Sequence, residues 1–331
     1  FLRERGIRLT DGYDPGGIPP DTDLAVIGNV ITRDNPQASW VMDAGMPYCS
    51  MPQAVNHFAV NGRTTILVTG THGKTTTSAL IAWLLQHAGL DPTFLIGGLL
   101  NNFNSNYRLG EGPFAVLEGD EYDTAFFDKG PKFMHYRTDV TILTSVEFDH
   151  ADIYADLAAV RSAFAGLLAR IAPGDRLIVF DHDDNVKDLV ASNNGTLETY
   201  GWGAQAGWHV QDLALDSSRG GVAFTLYRQG RHYGAFDLPM AGRYNVLNAT
   251  AAIAAADALG VPAAKIAEGL RSYRGVKRRQ EIRGIKNDIT VIDDFAHHPT
   301  AVEQTVQGIR AGYTAGRLIA IDPTDGSRRW T

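Results

Sequence analysis

Residues 68–77 read VTGTHGKTTT at the end of an apolar run, and their types are those of an anion-binding loop. Gly70 and Gly73 let backbone N–H groups turn inward. Lys74 supplies a point charge for β- and γ-phosphates, and Thr75 a hydroxyl where Mg²⁺ sits at a helix N-terminus. In the general pattern G-x-x-x-x-G-K-S/T the first glycine falls on Val68, so this is a shorter GTxGKT variant. A second group is EGDEYD at 118–123, directly after the apolar FAVLE. A carboxylate at the C-terminal end of a strand beside the loop strand is where such a site expects a metal ligand, which selects Glu118; a solvated acidic turn is the plain alternative. A third is SVEFDHADIY at 145–154, after VTILT. Here His150 either orders a γ-phosphate or a second Mg²⁺, or the segment is only a helix start capped by Asp149 or Asp152.

Three further stretches carry polar residues of useful type. In GRYNVLNATAA (242–252), Asn245 and Asn248 fall on one face of a helix start, where an amide matches the donor–acceptor edge of adenine; Asn245 as an ordinary N-cap is the alternative. In KRRQE (277–281), Arg279 suits a phosphate. In DDFAHHPTA (293–301), Asp294 at a strand end suits a ribose hydroxyl, and His297 and His298 are unusually polar for a turn. Each of these also has a plain surface reading.

The elements needed to position these groups are legible as a pattern. TILVT, an amphipathic TTTSALIAWLLQHAG closed by Gly89, and TFLIGG read as strand, helix, strand. Apolar strands at 114–118, 140–144 and 176–180, with a helix over 154–171, predict a mostly parallel α/β sheet covered on both faces. Residues 207–238 switch to alternation of period two, as in GVAFTLY, broken by RGG and RQG, and predict an antiparallel annex. An alanine-rich helix over 245–259, a strand at ITVIDDF, a helix from Thr300 and a strand at RLIAI follow. Residues 1–61 alternate short apolar runs with DGYDPGGIPPDTD and TRDNP, a strand-and-turn pattern.

At 331 residues the chain exceeds what one core usually supports, so more than one domain is expected. The net charge of −7 is spread along the chain, against nucleic acid or an anionic membrane as the main partner. The single cysteine, Cys49, excludes an internal disulfide or thiolate cluster and fits a reducing compartment. With no membrane-length apolar run and no signal peptide, a cytoplasmic location is expected. The chain starts at Phe1 and stops just after an apparent strand, and both ends look cut.

In this order, GTHGKTTT, EGDEYD, EFDHADIY, GRYNVLNATAA, KRRQE and DDFAHHPTA resemble the Mur ligase family of ATP-dependent amide-forming enzymes over nearly the whole chain. The resemblance implies three domains truncated at both ends: the remainder of a Rossmann-like UDP-sugar domain (1–61), a central P-loop ATPase (62–275) and the start of a Rossmann-like C-terminal domain (276–331). It implies ATP and Mg²⁺ as cofactors, with Gly70, Thr71, His72, Gly73, Lys74, Thr75 and Thr76 on the phosphates. Thr75 and Glu118 would hold one Mg²⁺, and Glu118 with His150 a second. Lys74, Glu118 and His150 are the implied catalytic residues; Asn248 would read adenine, Arg279 phosphate and Asp294 the ribose. For the substrates it implies Asn35, Gly97, Gly98, Asn106 and Arg108 on the UDP-sugar, with His72, His297 and His298 near the reacting groups.

Within the family, GTHGKTTT with DDFAHHPT is similar to the branch acting on UDP-N-acetylmuramate. IGGLLNNFNSNYRLG (96–110) and EGDEYDTAFFDKGPKFMHY (118–136) are most similar to members that add a murein tripeptide, L-alanyl-γ-D-glutamyl-meso-diaminopimelate, in peptidoglycan recycling. The L-alanine ligase of peptidoglycan biosynthesis is the alternative, and a non-ligase P-loop ATPase switch a second. Where several relatives use a carbamylated lysine for the second metal, this chain has no lysine between His150 and Lys187. The glycine-rich start of the UDP-sugar domain and most of the peptide-binding domain are absent, and DPTDGSRRWT matches the expected proline-arginine-serine-asparagine run imperfectly.

Overall fold

A computed structural model of the chain describes residues 2–149, 153–191, 193–216, 221–313, 316–321 and 328–330. The first strands, β1 (Ala25–Ile27) and β2 (Tyr48–Ser50), pair in parallel and flank α1 (Pro36–Asp43). Asn35 caps α1 through the amides of Gln37 and Ala38, with Pro36 in the first helical position. Next comes α2 (Met51–Val55), opened by a capping box between Ser50 and Gln53. These helices correct the strand-and-turn reading of 1–61: Asn-Pro and Ser-x-x-Gln act as helix starts rather than turns.

The region of the glycine-rich loop follows as β3 (Thr64–Thr69), α3 (Lys74–His87), β4 (Thr93–Leu100), β5 (Ser105–Arg108) and β6 (Phe114–Glu118). Gly89 ends α3 at φ +79°, its N–H reaching Gln86 O while Leu90 N–H reaches Leu85 O, the paired bonds of a left-handed helix stop. A small hairpin, β7 (Asp123–Ala125) and β8 (Asp128–Pro131), precedes β9 (Val140–Leu143), α4 (Leu157–Leu168), β10 (Arg176–Phe180), α5 (Asp184–Val190) and β11 (Thr196–Gly201). The cap of α4 is Asp156, which accepts the Ala159 amide, in place of the expected Asp149 or Asp152; Asp152 lies outside the described residues.

The annex is β12 (Trp208–Asp216), β13 (Gly221–Arg228) and β14 (Arg231–Leu238), followed by α6 (Arg243–Ala258), α7 (Ala263–Arg271), the hairpin β15 (Glu281–Lys286) and β16 (Ile289–Asp293), and α8 (Pro299–Gly312). Ten strands form one sheet in the order β14-β13-β12-β11-β10-β9-β3-β6-β4-β5. Strands β4, β6, β3, β9, β10 and β11 pair in parallel, and the antiparallel annex extends this sheet at one side.

Register explains how the sheet builds a site. Val68 of β3 stands opposite Glu118 of β6 on one side and Ile142 of β9 on the other. The loops leaving β3, β6 and β9 therefore emerge together at the carboxyl edge, where open α/β sheets bind ligands. Alternation along β3 sends Ile66 and Val68 into a core shared with α3, α6 and α7, and Leu67 into a second core with Phe133 and Phe164. All five side chains are fully buried, which fixes the rigid base under the loop. On α6, Ala249, Ala252 and Ala256 are buried, and such small side chains let that helix pack closely on α3.

Candidate active site

The loop leaving β3 takes a backbone that only glycine adopts cheaply: Gly70 has φ +119° and Gly73 φ +80°. A Cβ on Gly70 would lie 2.3 Å from Thr144 Oγ1, and one on Gly73 2.4 Å from Asn248 Oδ1. The segment after β9 backs the loop. Thr71 N–H donates to Ser145 O (2.9 Å), His72 N–H to Ser145 Oγ (3.1 Å), and Glu147 N–H to Thr71 Oγ1 (2.9 Å). Preorganised in this way, the amides at the start of α3 face a cavity of about 670 Å³, in the size range of small-ligand sites.

Lys74 Nζ lies inside this cradle, donating to Gly70 O (2.8 Å) and to Glu121 Oε2 (2.8 Å). Burial by itself lowers the lysine pKa, but the fields of Glu121, Asp120 and Glu118 and the bond to Glu121 outweigh it and raise it overall. The lysine is thus held as a cation in a nearly closed space. Asp120 is shifted up, first by burial, against the opposing fields of Lys74 and Lys132.

Thr75 Oγ1 donates to Glu118 Oε1 (2.8 Å), whose other oxygen accepts the Gly97 amide (2.7 Å). The pair is a set of hard oxygen donors at a helix N-terminus beside a lysine, which fits an oxygen-liganded divalent cation such as Mg²⁺. Arg279, from the segment after α7, brings Nη2 to 3.4 Å from Thr75 Oγ1 and stacks near Phe295. Asp294 accepts the amides of Gln280 (2.9 Å) and Ala296 (2.8 Å), and burial still raises its carboxyl above the ordinary range. Both oxygens are thereby engaged in shaping the turn that carries Phe295.

Asn245 is the third residue after Gly242, the actual cap of α6, and its Nδ2 donates to Ala241 O (2.7 Å), so the N-cap reading of Asn245 gives way to a buried strut. It holds Asn248, whose Nδ2 donates to Asn245 Oδ1 (3.3 Å) with its amide against Gly73.

The structure brings Thr71, His72, Gly73, Lys74, Thr75, Thr76, Gly97, Glu118, Asn248, Arg279, Asp294, His297 and His298 to the walls of one cavity. Gly70 lies immediately behind it. Gly98 is packed instead, since a Cβ there would meet Val276 and Thr75 at 2.5 and 2.8 Å. Asn35 uses its side chain to cap α1. Asn106 and Arg108 sit on the exposed edge strand β5, with the Arg108 guanidinium on Asp91. His150 lies outside the described residues. Sequence reasoning missed Glu121 and Glu147, although both stand inside quoted motifs. Only their three-dimensional partners, Lys74 for one and His72 and Thr300 for the other, set them apart.

This arrangement defines an α/β protein whose glycine-rich strand-to-helix loop carries a buried lysine beside hard oxygen donors, with a second segment lying over the site. The Mur ligase middle domain matches residues 68–256, and the Mur ligase glutamate ligase domain matches 278–326. The UDP-N-acetylmuramate--L-alanyl-gamma-D-glutamyl-meso-2,6-diaminoheptandioate ligase of Escherichia coli (strain K12) is 40% identical over 99% of this chain and 71% of that protein. A crystal structure of UDP-N-acetylmuramate:L-alanyl-gamma-D-glutamyl-meso-diaminopimelate ligase from Neisseria meningitides superposes with a TM-score of 0.77 at 35% identity, over 84% of this chain and 87% of that one. A UDP-N-acetylmuramate--L-alanine ligase from Acidothermus cellulolyticus is 35% identical over 96% of this chain and 65% of its own length. The chain belongs to the Mur ligase family and has its α/β fold.

Proposed function

We propose that the protein is an ATP-dependent, ADP-forming ligase that joins the carboxylate of UDP-N-acetylmuramate to the amine of L-alanyl-γ-D-glutamyl-meso-diaminopimelate. The observation that carries this reading is Lys74, a buried cation in the phosphate loop, facing oxygen donors from β6 and a guanidinium from the segment after α7. The similarity to the tripeptide ligase of E. coli supports the choice of acceptor. ATP would place its phosphates on residues 70–76, its adenine by Asn248 and its ribose by Asp294. Asn106 and Arg108 on β5 are the donors proposed for the UDP-sugar, Arg108 exchanging Asp91 for substrate phosphate. The ATPase unit is proposed to run over 62–275, with residues 276–331 closing over it.

A carboxylate is a poor acyl donor at neutral pH, so an acyl phosphate supplies the leaving group that the amine then displaces. Thr75 and Glu118 would hold Mg²⁺, which when bound offsets repulsion between the two anions. Lys74 stabilises charge developing on the transferred phosphoryl group, and its raised pKa keeps it protonated for that role. Arg279 contributes a second cation from the opposite wall, placed beside the Phe295 ring. The test is phosphate release with UDP-N-acetylmuramate and either the tripeptide or L-alanine. Tripeptide should be strongly preferred; preference for L-alanine would move the assignment to the biosynthetic enzyme. Phosphate release independent of UDP-N-acetylmuramate would favour a non-ligase ATPase switch.

A further inference from the structure

Where α8 meets the phosphate loop, three metal-ligating side chains converge that the ligation chemistry above does not use together. Glu147 Oε2 lies 3.5 Å from His72 Nε2 and 3.9 Å from His298 Nδ1, and the three ligand atoms all fall within 4.8 Å of one another. Neither separation is a hydrogen bond, which would need about 2.7–3.2 Å. Both ring nitrogens are nonetheless buried without a hydrogen-bond partner, although burying an unmet polar group is costly. The imidazoles lie tilted at 4.7 Å between ring centres, so they converge on the carboxylate rather than bond to each other.

A cation satisfies all three at once. Bonds of about 2.0–2.1 Å in a tetrahedral shell place ligand atoms roughly 3.3 Å apart, so the two measured distances need only a few tenths of an ångström of inward movement. Two imidazoles and one carboxylate select a borderline cation of the zinc type, whereas the all-oxygen pair Thr75 and Glu118 selects magnesium. Glu147 is already oriented by an outer partner, the Thr300 hydroxyl donating to Oε2 at 2.8 Å. His72 is fixed by its backbone bond to Ser145 Oγ, and all three side chains belong to residues lining the cavity.

We propose that His72, Glu147 and His298 form a zinc-type cation site, separate from the magnesium donors, that pins the start of α8 to the phosphate loop. Its occupation ties the start of α8, through His298, to the loop that carries Lys74. Cation binding at this site does not depend on the ligase reading, because it needs neither nucleotide nor sugar.

The test is titration of the metal-free protein with Zn²⁺ against a chromogenic chelator, with Co²⁺ in parallel for its visible ligand-field bands. One equivalent should bind, with Co²⁺ bands of four-coordinate type. His298→Gln should weaken Zn²⁺ at least as much as loss of an outer partner does, 10- to 100-fold, and Thr300→Val should fall in that range too. Glu118→Gln should leave Zn²⁺ binding unchanged. Thr300→Val keeps every ligand and serves if His298→Gln does not fold. The proposal is overturned if no Zn²⁺ binds, or if binding is lost in Glu118→Gln and retained in His298→Gln and Thr300→Val.

Discussion

Replacing Glu121 with glutamine separates what holds the empty site together from what holds the nucleotide. Lys74 and Glu121 have side chains only 11% and 3% exposed and are 2.8 Å apart, a pair shielded from solvent. Removing one charge of a buried pair costs about 3–5 kcal/mol. Here Asp120 and Glu118 still face the lysine, Gly70 O still accepts from it, and the glutamine carbonyl can accept as well, so the low end, about 3 kcal/mol, is expected. At about 2.1 cal/mol/K per residue, 331 residues give about 1.4 °C per kcal/mol, and the melting midpoint of the ligand-free protein should fall by roughly 4 °C. Nucleotide affinity should move the other way. Two unit charges 4 Å apart interact by about 4 kcal/mol at an effective dielectric constant of ~20. In the proposed complex Lys74 would stand between Glu121 and the phosphates and cancel most of this repulsion; relief of about 1.4 kcal/mol would remain, a tenfold tighter Kd. Urea or thermal melts without ligand and calorimetric titration with ATP and Mg²⁺ read the two effects. A stability change below about 0.5 kcal/mol, the ordinary range for surface substitutions, would refute the pairing argument, and weaker ATP binding would refute the electrostatic one.

Other substitutions test the remaining parts. Gly73→Ala forces a Cβ into left-handed backbone and against Asn248 Oδ1, and should lower ATP affinity at least about tenfold in titration, since each left-handed non-glycine residue alone costs about 1–2 kcal/mol. Thr75→Val removes the donor to Glu118 and should cut phosphate release at least about tenfold while raising the Mg²⁺ concentration needed for half-maximal rate. Asp91 is held below the usual carboxylate range by the Glu111 amide and then by Arg108. Its stabilising contribution is present above the unfolded value and lost as pH falls through the folded one. Asp91→Asn should therefore be less stable than wild type near neutral pH, with the gap closing in urea melts as the pH drops below 3.8.

The conformation of the loop between β3 and α3 was legible because its signals are local: two glycines, a lysine and a threonine between an apolar strand and a helix leave few other conformations. Glu118 was legible because the strand FAVLE ends on it, and β6 does lie beside β3. The cap of α6 was misread by three residues because Gly242, at φ +98°, turns the chain before Arg243, a backbone signal that an asparagine downstream obscures. Helix α1 was hidden since Asn-Pro serves both turns and helix starts, and α7 because Pro262 and Gly275 bracket it like a loop. The partners of Glu121 and Glu147 are far off in sequence. Nothing in EGDEYD or SVEFDH separates them from neighbouring acids until the strands come together.

The central claim is that the phosphate loop activates a carboxylate by phosphorylating it. UDP-N-acetylmuramate labelled with ¹⁸O in the muramyl carboxylate tests this most directly, by mass spectrometry of the phosphate released during ligation. An acyl phosphate leaves one ¹⁸O in each phosphate and one in the new amide. Unlabelled phosphate released as the amide forms, with the lost ¹⁸O appearing in water or in another product, would contradict this mechanism.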